Sequence, residues 1–289
     1  AGASSSSADG AAVPATPKLD MSKLVDVSDA EPPLRSARSS AAAAAVDKAE
    51  SDLVTAWAVN ALAPAAFGKA CAEAGIPLVQ VSTDYVFDGS KTGAWEVNDP
   101  VAPLGVYGAS KLGGELAVRT SGARHVIVRT AWVVSAHGNN FVKTMLRVGA
   151  DRDTLNVVAD QHGSPTSAAD LAETLKTIVL RLVGDDTAPT GTFHFSNAGA
   201  TSWAEFAAEI FRQSEQRGGP SARVDPIPTS EYPTPAQRPA NSLLSHDAIR
   251  ADDLVRGRYD AALIESGVVD WQTSESVLLY RGSLGAISC

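Results

Sequence analysis

The feature that most constrains this chain is an alternation. A short apolar run breaks abruptly into polar residues, and a longer amphipathic stretch follows. "PLVQVS" (Pro77–Ser82), "HVIVRTAWVV" (His125–Val134), "TLNVV" (Thr154–Val158) and "TFHFSN" (Thr192–Asn197) are the apolar runs. They are short and rich in β-branched residues, which reads as buried strands. Around them lie helical patterns at Val54–Ala74, Val106–Ser121, Ser167–Val183 and Ser202–Arg217, and a fifth in "NNFVKTMLRVGA" behind an Asn cap. Trp203, Phe206, Ile210 and Phe211 share one face of the last full helix. Pro64 is expected to kink or divide the first one. Strands that alternate with helices argue for an α/β fold, a doubly wound, Rossmann-like parallel sheet covered on both faces. Ligands of such sheets bind beyond the carboxyl ends of the strands. "STDY" and "TAW" stand at those ends.

Composition removes other classes. The formal net charge is −9 and no Lys/Arg cluster stands out, so a nucleic-acid partner is not expected. No apolar run approaches the roughly 20 residues of a membrane span. The two cysteines, Cys71 and Cys289, suggest neither a disulfide framework nor a Cys-based metal site, and a reducing cytoplasm is the expected setting. No His/Cys/Asp/Glu spacing suggests a metal cage, and His162 and His194 read as structural.

Tyr107 and Lys111 lie four residues apart in a helical pattern, hence on one face. A phenol titrates near ~10, and a neighbouring ammonium is expected to lower that value. Such a pair can exchange a proton with a substrate oxygen near neutral pH. The Thr83 hydroxyl, ending the preceding strand, can bind the same oxygen.

The chain resembles the dTDP-4-dehydrorhamnose reductases of the extended short-chain dehydrogenase/reductase group. The resemblance is carried by "VDKAES", "AVNA", "VSTDYVFDG", "PLGVYGASKLGGE", "VIVRTAWV", "NNFVKTML", "DQHGSPTSAADLA" and "RPANSLLS", in family order over about 41–250. It implies NADPH (or NADH) as cofactor and a dTDP-sugar substrate reduced at C4. Tyr107 is then the general acid, Lys111 its partner at the cofactor ribose, and Thr83 a ligand of the reacting oxygen. Asp84 and Trp132 would line the sugar pocket. Asn140, Phe141, Gln161 and Arg238 would serve the nucleotide end, an Arg fork suiting a diphosphate. Ala41, Ala42 and Asn60 would lie along the cofactor. A homodimer is implied too, and some relatives use a metal such as Mg2+ at a dimer contact. The implied division is an atypical, poorly ordered segment over 1–45, a cofactor and catalytic part over 46–160, and a smaller substrate-binding part over 161–289 with interleaved Rossmann elements.

Two departures matter. The glycine-rich turn that lets a pyrophosphate approach a helix N-terminus is absent from 1–40, which holds only Gly2 and Gly10. "AAAAA" puts Ala43 and Ala44 where the family has a ring and a hydroxyl. Weak NADPH binding is the expectation from these, and a non-catalytic sugar-nucleotide-binding relative is the alternative function. Dehydratases of the group carry Thr-Asp-Glu at the strand end. Here Tyr85 follows Thr83 and Asp84, which counts against dehydration.

Overall fold

The computed structural model describes residues 46–251. The segment over 1–45, with Ala41 and Ala42, and the text after 251 lie outside them. The chain enters through α1 (Val46–Ser51), α2 (Leu53–Trp57), a π-helical turn (Ala58–Leu62) and α3 (Ala63–Ala74). Pro64 does not divide the expected helix, whose backbone stays right-handed through Trp57, Ala58, Leu62 and Ala63, but a π-helical turn precedes it. The wider turn accommodates the proline, whose ring and missing N–H disturb an ordinary α-helical interior. Gly75, in the left-handed conformation, stops α3.

The next elements are β1 (Leu78–Thr83), α4 (Val106–Thr120), β2 (His125–Thr130), β3 (Val133–Val134), α5 (Phe141–Gly149) and β4 (Thr154–Val158). Then come β5 (His162–Gly163), β6 (Thr166–Ser167), α6 (Ala168–Gly184) and β7 (Gly191–His194). The described chain closes with β8 (Thr201–Ser202), α7 (Trp203–Gln216), β9 (Arg223–Ile227) and α8 (Asp247–Ala251). "HVIVRTAWVV" is two strands rather than one, interrupted where Trp132 takes a left-handed backbone. "TFHFSN" leaves the sheet after His194.

The main sheet has the order β1-β2-β7, all parallel, with Thr83 in register with Thr130 and Ser82 with Arg129. Alternate residues of β2 face opposite ways. Val126 and Val128 pack with Phe193 against Leu171, Ile178 and Leu182 of α6 and Ile249 of α8. Each such side chain, fully buried, contributes about 1.5–3 kcal/mol. The opposite face carries Ser82 and Arg129, which reach Glu115 on α4. The sheet is thus covered on both faces, as a doubly wound fold requires. A second parallel pair, β4-β9, packs on α7 through Leu155, Val157, Ala204, Ala207 and Phe211. A capping box of Ser202 and Glu205 starts α7.

Candidate active site

β1 runs out at Thr83, and one 3-10 turn (Asp84–Val86) follows. The Thr83 hydroxyl starts that turn by accepting the Tyr85 N–H at 3.2 Å, and it donates to Asp84 Oδ1 at 2.9 Å. The first turn of α4 comes down on this corner. A Cβ at Gly108 would stand 2.2 Å from the Tyr85 carbonyl oxygen, so only glycine allows the approach. That approach brings the Tyr107 phenol beside the Thr83 side chain. The Tyr107 ring meets Tyr85 edge-on, with centroids 5.6 Å apart. One turn further on, Lys111 Nζ donates to the Val81 carbonyl at 2.6 Å.

Burial, and then the neighbouring Asp84, push the Tyr107 phenol up to about 12, while the Thr83 contact draws it back in part. The expected depression by Lys111 is therefore corrected: desolvation and a carboxylate set the direction, upward. Burial holds the Lys111 amine below the usual lysine range, and Glu115 opposes that loss of charge. Burial raises Asp84 to about 6 against the pull of the Ser242 and Thr83 hydroxyls. At neutral pH the corner thus holds a protonated phenol, suited to giving a proton to an oxygen that gains charge.

A second wall is aromatic. Trp132 has φ 48°, a left-handed backbone that a bulky residue adopts only under constraint. The constraint is visible. Its indole lies flat on Trp203, 3.5 Å between centroids and 11° between planes, and its carbonyl accepts the Thr166 N–H at 3.0 Å. A Cβ at Gly163 would fall 2.5 Å from the Trp132 ring. Phe141 adds a third ring, 4.6 Å from Trp203. Trp132 also packs on the cluster of Val86, Phe87, Trp95, Ala131 and Leu244, which takes Leu112 from α4. That cluster joins the aromatic wall to the polar corner.

The other expected residues are engaged by protein groups. Asn140 caps α5, accepting from the Lys143 N–H at 3.2 Å and donating to the Ser135 carbonyl. Gln161 is buried and donates to the Thr229 hydroxyl at 3.0 Å. Arg238 pairs with Asp47 at 2.7 Å and donates to the Ala236 carbonyl at 3.1 Å and to the Thr234 hydroxyl. Asn60, in the π turn, donates to the Ser110 hydroxyl at 3.1 Å, and Ser110 donates to the Tyr107 carbonyl at 2.9 Å.

Three features escaped the sequence reading. Thr130, in register beside Thr83, has its hydroxyl buried without a hydrogen-bond partner. Its signal was available, since both apolar runs reach a threonine before turning. Glu115 and Arg129 form a fully buried ion pair below the corner. Asp84 keeps its Oδ2 buried without a hydrogen-bond partner, which no local pattern announces. Among the described residues no group of three or more His, Cys, Asp or Glu side chains could hold a metal ion, so nothing in the structure supports a Mg2+ site. No helix among them is long and apolar enough to cross a membrane.

The chain matches the family of the RmlD substrate binding domain over residues 6–266. A dTDP-4-dehydrorhamnose reductase of Sinorhizobium fredii is 47% identical over 210 residues, 71% of its own length and 72% of this chain. The enzyme of the same name from Escherichia coli K12 is 44% identical over 208 residues, covering 71% of this chain and 69% of its own. Among solved structures, the reductase of Bacillus anthracis in complex with NADP aligns with TM-score 0.65 at 39% identity, covering 71% of this chain and 70% of its own. The ortholog from Clostridium acetobutylicum aligns with TM-score 0.71 at 37% identity, covering 83% and 78%. By that match over most of its length, and by a relative 47% identical over 72% of it, the chain belongs to the RmlD substrate binding domain family.

Proposed function

We propose that the chain reduces dTDP-4-dehydro-L-rhamnose to dTDP-L-rhamnose with NADPH. One observation carries the reading: a single helix, α4, sets a protonated Tyr107 and an adjacent Lys111 against the buried Thr83 at the carboxyl end of β1. The relatives' names supply the substrate, and the NADP complex of the Bacillus anthracis relative supports the choice of dinucleotide.

A nicotinamide dinucleotide fits the described residues at its nicotinamide-ribose end. Lys111 has three N–H donors and gives one to Val81, leaving donors for ribose hydroxyls beside Tyr107. The residues expected under the rest of the cofactor, Ala41 and Ala42, lie outside the described range. When bound, the dinucleotide supplies the hydride that C4 of the sugar receives. Everything else falls to side chains. The hydroxyls of Tyr107 and Thr83 bind and orient the keto oxygen. As that oxygen gains charge, Tyr107 Oη gives it a proton, and the Lys111 ammonium favours the phenolate left behind. The reading places Asp84 and Trp132 beside the sugar and Asn140, Phe141, Gln161 and Arg238 toward the nucleotide. It assigns the cofactor and catalysis to 46–160 and substrate binding to 161–289.

The test is direct. NADPH consumption is followed spectroscopically after adding dTDP-4-dehydrorhamnose, with dTDP-rhamnose identified as product. Calorimetric binding of dTDP without consumption of NADPH or NADH would overturn turnover and leave a sugar-nucleotide-binding protein. The absence of a glycine turn in 1–40 favours that second reading.

A further inference from the structure

Below the catalytic corner one buried carboxylate pairs with two arginines, Arg119 and Arg129. Glu115 follows Tyr107 and Lys111 at four-residue steps, so the three share a face of α4. Its Oε1 accepts from the Ser82 hydroxyl at 2.6 Å and from Arg129 Nε at 2.9 Å. Its Oε2 accepts from the second arm of Arg129 at 2.8 Å and from Arg119 at 3.0 Å. Ser82 precedes Thr83 in β1, and Arg129 precedes Thr130 in β2. One carboxylate therefore ties α4 to the ends of both strands that meet at the corner. Arg129 is itself fixed by Phe87, whose ring lies 5.0 Å from the guanidinium, and by His194 at 3.4 Å.

We propose that Glu115 is a positioning residue for the reaction, holding α4 in register with β1 and β2 and keeping the Lys111 amine in its charged, donating form. Lys111 sits in a buried position that works against its charge, and Glu115 is the group that offsets this. The neighbouring charges set the sign. Tyr107 and Arg119 lie on α4, Asp84 follows β1, Arg129 is on β2, His194 is on β7, and Glu50 of α1 accepts the Val106 N–H at the start of α4. His194 is held at about 3 by burial and Arg129, so it is neutral in the working range. Removing the Glu115 charge leaves the buried Lys111 amine without the carboxylate that offsets its desolvation. Removing the Arg129 charge instead leaves a less balanced carboxylate.

The inference rests on the reductase reading for its role in turnover, and its test separates the two. Lysine labelled at Cε is titrated by NMR in the full chain, with the Lys111 signal assigned by loss in Lys111→Arg. This readout needs no turnover. Glu115→Gln is expected to move the Lys111 midpoint to lower pH by about one unit or more, and Arg129→Met to move it upward. If the chain turns over, the alkaline limb of kcat/KM moves with each midpoint, while Glu115→Asp leaves the limb in place at lower kcat. A purely structural role predicts lower melting temperatures with the midpoint unmoved, and that result overturns the proposal. So does a shift of the same sign in both variants. Where one variant fails to fold, the sign of the other decides. A chain that shows the shifts without consuming NADPH sinks the reductase reading and leaves the coupling standing.

Discussion

The two ends of the catalytic face of α4 are built on opposite terms. At Glu115 every carboxylate oxygen has two donors, and the charge is spent on holding helix to sheet. At Tyr107, two turns earlier, the balance is deliberately incomplete. The phenol is pushed up to about 12, Asp84 to about 6, and the Thr130 hydroxyl is buried without a partner. A buried polar group that is fully paired fixes geometry, and one left short of partners stores free energy that a ligand can release. The lower half of the helix aims the upper half.

The largest expected effect falls on the paired end. Arg129→Met strands Glu115 in the interior with Ser82 and Arg119 alone, and breaking a buried pair from one side costs about 3–5 kcal/mol. Urea unfolding measures it. A loss under ~1 kcal/mol would erase the contrast between the two ends.

Next comes the open end. Tyr107→Phe removes the proton donor and should lower kcat by roughly 10² or more with little change in melting temperature. Steady-state kinetics beside a thermal melt would show both. Undiminished turnover would leave the corner without its acid.

Acid titration tests two imidazoles, His194 beside Arg129 and His246 beside Ser196. Burial and nearby arginines hold His194 at about 3 and His246 at about 4, below the ordinary 6.5, so the unfolded chain takes up their protons first. Their contribution is present above about 6.5 and is lost as pH falls toward the folded values. Asp84 has the opposite sign. Raised to about 6, it takes up a proton in the folded state before the unfolded one. Near pH 5 the unfolded chain thus gains two protons and the folded chain one. The net of one proton costs roughly 1.4 kcal/mol per pH unit below about 6. Melting temperatures that stay level from pH 7 to 5 would show that these groups do not govern acid stability.

The smallest effect is the most diagnostic. Thr130→Val replaces an unpaired hydroxyl with a methyl of similar shape and should stabilise the fold by about 1 kcal/mol. Destabilisation in a thermal melt would mean that the hydroxyl has a partner after all.

What the sequence made legible follows the range of each interaction. Strands such as Leu78–Thr83 and Thr154–Val158 were readable because short clusters of Val and Leu, rich in β-branched residues, mark them even where polar residues intervene. Thr83, Tyr107 and Lys111 were readable because they sit at one strand end and one helix turn. The charge balance at Tyr107 was not, because desolvation is a property of the assembled corner. Neither was the Glu115–Arg129 pair, whose members belong to different elements and look like surface charges in the text. The cap at Asn140 was legible because a helix start needs a side-chain acceptor, and Asn140 supplies it to α5. The two-residue strands β3, β5, β6 and β8 leave too little pattern to be seen at all.

The stacked indoles of Trp132 and Trp203 have an optical consequence. Two chromophores 3.5 Å apart and 11° from parallel share their excited states, so they absorb and quench as a coupled pair rather than as independent tryptophans. The chain carries five tryptophans, yet this pair alone, among the described residues, stacks indole on indole. Its circular dichroism couplet is therefore a native label for the wall beside the corner. It reads out, without any added dye, whether residues from two distant parts of the sequence have closed on each other.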